Sequence, residues 1–60
     1  MMNVKREASE FGLEFIAKNP AYAADVNDLY KLMVTEIEEG GSPDEELESF
    51  KQNVEQLLED

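Results

Sequence analysis

The side chains able to do chemistry in this chain are carboxylates, and seven of them crowd one stretch: Glu36, Glu38, Glu39, Asp44, Glu45, Glu46 and Glu48, with no Lys or Arg among them. Clustered carboxylates can hold a hard divalent cation, work as an acid–base pair, or dock on a basic surface. The first use needs a register that is missing. An EF-hand loop sets its acids at alternate positions, with a glycine at the sixth and a glutamate at the twelfth, and neither this run nor Asp25-Val26-Asn27-Asp28 supplies that series. The second use needs a desolvating cleft that raises one carboxyl pKa, and a chain of 60 residues has barely enough core to close itself. Ser9, Thr35, Ser42 and Ser49 have no histidine to activate them, because the chain has neither His nor Cys. That composition excludes a thiol nucleophile, a thiolate zinc site, a disulfide staple and the commonest general base. Tyr22 and Tyr30 read as core-edge residues with wet hydroxyls. The expectation is a protein that is not an enzyme, with no cofactor and no metal. Docking is left.

The charge sharpens that reading. Formal net charge is −10, and it is unevenly placed: residues 1–34 hold five acids against four bases, whereas residues 35–60 hold ten acids against Lys51 alone. Neutralising phosphates takes Lys and Arg that this chain lacks, so direct binding to nucleic acid or to an anionic membrane is not expected. No apolar run approaches the roughly 18 residues of a membrane span, and no apolar leader opens the chain. The expected location is the cytoplasm.

The elements that must position the acids follow from two breaks, Asn19-Pro20 and Gly40-Gly41-Ser42-Pro43. Proline turns the residue before it away from helix. A glycine past a helix end supplies a left-handed cap, and Ser42, Pro43 and Glu45 write an N-cap, a first-turn proline and a capping box. Three helices are predicted, at about 3–18, 21–39 and 43–59, in a single domain over 1–60. Val4, Ala8, Phe11 and Phe15, widened by Ile16, make the apolar stripe of the first; Leu13 falls on the opposite side and should be exposed. Gly12 inside this helix marks a close helix approach or a tolerated cost of about 0.5–1 kcal/mol relative to Ala. Tyr22, Val26, Leu29, Met33 and Ile37 make the stripe of the second, with Tyr30 and Val34 beside them and Leu32 on the other flank. Leu47, Phe50, Val54 and Leu57, with Leu58, make that of the third. The broad arc of the second helix can touch both neighbours, so the fold class is all-α, a small three-helix bundle.

On that scaffold the seven acids gather at one end. Asp44, Glu45 and Glu46 start the third helix, where the positive end of its macrodipole favours acids. Glu36, Glu38 and Glu39 end the second, where the same physics favours Lys or Arg. A local rule broken without compensation is where function is sought, and the alternative is a solvated acidic end kept for solubility.

The stretch Met33-Val34-Thr35-Glu36-Ile37-Glu38-Glu39-Gly40-Gly41-Ser42-Pro43-Asp44-Glu45-Glu46, running on to Val54-Glu55-Gln56-Leu57-Leu58, resembles small acidic helical proteins of uncharacterised function encoded by bacteriophages. The resemblance implies a short accessory protein that acts by binding, inhibiting or redirecting a host protein, and it transfers no site residues.

The sequence thus predicts a non-enzymatic interaction module whose partner-binding residues are Glu36, Glu38, Glu39, Asp44, Glu45, Glu46 and Glu48, facing a basic protein partner. Two alternatives stand beside it. One is a nucleic-acid mimic that blocks a DNA- or RNA-binding protein, although mimicry asks for charge along a whole surface and residues 1–34 are nearly balanced. The other is a small structural or self-associating subunit, a homodimer through Leu13 or through the Leu47–Leu57 seam.

Overall fold

A computed structural model describes residues 3–59. α1 spans Val4–Lys18, α2 Ala23–Glu38 and α3 Pro43–Gln56, with a short 3₁₀ turn at Pro20–Tyr22. α1 starts at Asn3, whose side-chain Oδ1 accepts from the Arg6 N–H at 3.0 Å. It ends at Asn19, which leaves the helical region (φ −139°, ψ 65°) ahead of Pro20. The Asn19 N–H reaches back to the Phe15 and Ile16 carbonyls, and its side-chain amide donates to Phe15 O at 3.2 Å. The second helix is therefore shorter than the predicted 21–39. Pro20 opens a tight turn closed by Tyr22 N–H on Asn19 O, and α-helical bonding begins only after it.

Connections this short fold neighbouring helices back on each other, and each helix packs against both others. The chain is an all-α three-helix bundle. Val4, Ala8, Val26, Met33, Leu47, Phe50 and Val54 form the buried core, and every one lies on a predicted stripe. Phe50 ties the helices together: its ring meets Phe11 of α1 edge-on at 6.3 Å and Tyr30 of α2 edge-on at 6.2 Å. Gly12 is a site of close approach. A Cβ there would stand 3.1 Å from Val26 Cγ1, so the missing side chain is what lets α1 and α2 pack.

The end of α3 departs from expectation. The α-helix stops at Gln56, and Leu57, Leu58 and Glu59 continue in bonds to the third residue back. That tighter winding takes Leu58 off the stripe, and it is 55% exposed instead of joining the seam. Leu13, as predicted, is 65% exposed. Among the described residues no helix is long and apolar enough to cross a membrane.

Candidate functional site

The acidic end is built by one turn. Gly40 takes φ +105°, a conformation that costs an L side chain steric strain. Its N–H donates to Ile37 O at 3.1 Å, and the Gly41 N–H donates to Glu36 O at 2.8 Å. This crossed pair of bonds is the Schellman arrangement, which occupies carbonyls that the end of α2 would otherwise leave open. Gly41 is required by space, since a Cβ would lie 2.8 Å from Glu36 O and 3.0 Å from a carboxylate oxygen of Glu46.

After the turn the capping box does not form. Ser42 occupies the N-cap position with extended backbone, and its carbonyl receives the Glu46 N–H at 2.9 Å. No side-chain hydrogen bond caps the helix, however. The first-turn N–H groups of α3 are left to the field of Asp44, Glu45 and Glu46, which occupy that turn.

The turn therefore brings all seven predicted residues to one end of the bundle. It also supplies part of the compensation missing from the sequence, because the positive start of α3 adjoins the acids that end α2. That compensation is small. A helix start is worth about half an elementary charge, against the six carboxylates of the two flanking turns. Among the described residues, none of the seven belongs to an ion pair. The two pairs that do form, Arg6 with Glu10 at 3.4 Å and Lys51 with Glu7 at 3.6 Å, use other acids. Lys51, the sole base of the acidic half, is further committed to the Phe11 ring, 5.7 Å from its centre.

The seven do not all face the same way. Glu36 and Glu46 line a cleft of about 110 Å³ between α2 and α3, floored by Leu29, Met33 and Phe50 and edged by Leu32. Leu32 is 52% exposed. Glu38, Glu39, Asp44, Glu45 and Glu48 are exposed outside that cleft. Farther along the same two helices a second cleft of about 390 Å³ is lined by Asp25, Asp28, Leu29, Asn53, Gln56 and Leu57. Sequence reasoning left Asp25 and Asp28 out of the site. The signal was present, since Asp25, Asp28, Leu32 and Glu36 follow one another at helical spacings of three, four and four.

The other clefts differ in charge. The one between α1 and α2, about 190 Å³, has Ala8, Gly12, Leu13 and Ile16 on its α1 side and no charged residue in its lining. The one between α1 and α3 mixes Lys18 with Glu14 and Glu55. Among the described residues no three His, Cys, Asp or Glu side chains come together to hold a metal ion. Comparison with known proteins finds no matching family model, no matching curated protein and no matching solved structure.

Proposed function

We propose that this chain is a non-enzymatic interaction module that docks its acidic end, Glu36 to Glu48, on a basic surface of a partner protein. The carrying observation is that seven carboxylates share one end of the bundle and none is engaged in an ion pair among the described residues. Such a field steers a basic partner during encounter, and apolar contact then supplies residence time. The resemblance of residues 33–58 to acidic phage proteins supports a finer version, in which a phage accessory protein inhibits or redirects a host protein.

The test is capture of partners on the immobilised chain across a salt series. The Debye length falls from about 30 Å at 0.01 M salt to about 3 Å at 1 M, so retention of a basic partner should fall steeply over that range. Retention indifferent to salt would remove the electrostatic docking. One observation favours a second reading: Leu13 is 65% exposed beside a cleft with no charged residue in its lining, which suits self-association through apolar contact. Sedimentation at two concentrations separates the two readings, since a module of the first kind stays monomeric.

A further inference from the structure

Two neighbouring clefts between α2 and α3 share Leu29 and Asn53 in their linings and together reach from Asp25 to Glu36 along α2, forming one α2–α3 groove. One end carries Glu36 and Glu46 and the other Asp25 and Asp28, with no basic residue in the lining. Between the acids the α2 wall is apolar, with Leu29 half-buried and Leu32 52% exposed, and α3 faces it with Ser49, Phe50 and Asn53. No other groove described above combines acids at both ends, an apolar wall between them and no cation. Asp25 and Glu36 are eleven positions apart on α2, which at about 1.5 Å per residue is roughly 16 Å, or three helical turns.

From this juxtaposition we infer that the α2–α3 groove receives an amphipathic α-helix of a partner protein, one with an apolar stripe about three turns long and Lys or Arg at both ends. The inference rests on the proposed docking function and names its partner class. The occupant's apolar side chains, spaced at three and four residues, lie over Leu29 and Leu32 as helix-in-groove recognition requires. Its basic residues at one end reach Glu36 and Glu46, and those at the other reach Asp25 and Asp28. A helix-length partner is indicated over a single inserted side chain because the acids stand at the two ends of the groove. A nucleic acid does not fit, because the groove offers phosphates four carboxylates and no cation.

The experiment uses the full chain, isotopically labelled, titrated with a synthetic fifteen-residue peptide that carries leucines at helical spacing and lysines at both ends. A scrambled peptide of the same composition is the comparison. Backbone amide shifts should saturate and concentrate on Leu29, Leu32, Glu36, Ser49 and Asn53, and the scrambled peptide should bind at least roughly tenfold more weakly. The variant Leu32→Glu discriminates sharply: its exposed position tolerates a good helix former, and it adds a negative charge while deleting the apolar contact. The groove reading predicts weakening of about fivefold or more, on the scale of half a leucine's transfer free energy; attraction to charge alone predicts tighter binding.

Equal binding of the scrambled peptide, a gain from Leu32→Glu, or shifts confined to Glu38, Glu39, Asp44, Glu45 and Glu48 would overturn the groove while leaving the acidic end as a docking site. Absence of saturable binding overturns it as well. The same shifts on raising the chain's own concentration without peptide would assign the groove to a second copy and overturn the proposal. The broader function fails by a separate route, if charge reversal at Glu36, Glu38 and Glu39 leaves partner capture unchanged.

Discussion

Replacing Gly12 with alanine sets two effects of opposite sign against each other. In an open helix interior the change stabilises by about 0.5–1 kcal/mol, because glycine loses more backbone freedom on folding. Here the new Cβ lands 3.1 Å from Val26 Cγ1 and 3.7 Å from Phe50 Cζ. Val26 is 2% exposed, and its branched side chain has essentially one comfortable rotamer in a helix, so it cannot swing aside. The helices must separate by a few tenths of an ångström, and an extra methyl forced into a filled core costs about 1–3 kcal/mol. The clash should win, leaving Gly12→Ala less stable by roughly 0.5–2 kcal/mol. For a chain of this length total stability is about 3–9 kcal/mol, so the loss is readily measured. Urea unfolding followed by circular dichroism at equilibrium should show a lower midpoint with an unchanged slope. In a Val26→Ala background, where Cγ1 is gone, the same substitution should become neutral or stabilising, giving a coupling between neighbours of about 0.5–3 kcal/mol. A raised midpoint for Gly12→Ala in the parent chain would refute the close approach of α1 and α2.

The remaining expectations concern caps and charge. Gly40→Ala places a side chain at φ +105° and should cost about 1–2 kcal/mol, read as a lower urea midpoint. Asn3→Ala should cost about 0.5–2 kcal/mol because its side chain caps α1, whereas Ser42→Ala should cost less in the same assay because the serine hydroxyl caps nothing. Reversing Glu36, Glu38 and Glu39 to lysine should raise the thermal midpoint at low ionic strength by complementing the end of α2, and the gain should shrink as salt is added.

The fold was legible because burial leaves a period in the sequence. Val4, Ala8, Val26, Met33, Leu47, Phe50 and Val54 all lie on stripes visible in the bare chain, and the Gly40-Gly41 pair announced a left-handed cap, which Gly40 takes. What was not legible depends on geometry between elements. Gly12 offered close packing or mere tolerance, and only the position of Val26 decides between them. Ser42 and Glu45 have the capping-box spacing, but spacing gives no side-chain rotamer, and the bonds do not form. Leu58 keeps the apolar pattern past the point where α3 tightens, so its facing was misread. The candidate site shows the same division. That seven acids share one end follows from a helix–turn–helix with a short turn. That the cleft of Glu36 and Glu46 adjoins the cleft of Asp25 and Asp28 needs the pairing of α2 with α3, which composition along a chain does not contain.

Recruitment of a basic partner rests on the carboxylates at the end of α2, Glu36, Glu38 and Glu39, which form no ion pair among the described residues. Its most direct test is side-by-side capture on the immobilised parent chain and on the Glu36→Lys, Glu38→Lys, Glu39→Lys variant at low salt, with helicity of both checked by circular dichroism. Proteins with a basic surface should be retained by the parent, lost from an equally helical variant, and released from the parent as salt rises. The same proteins held equally by both chains would contradict it.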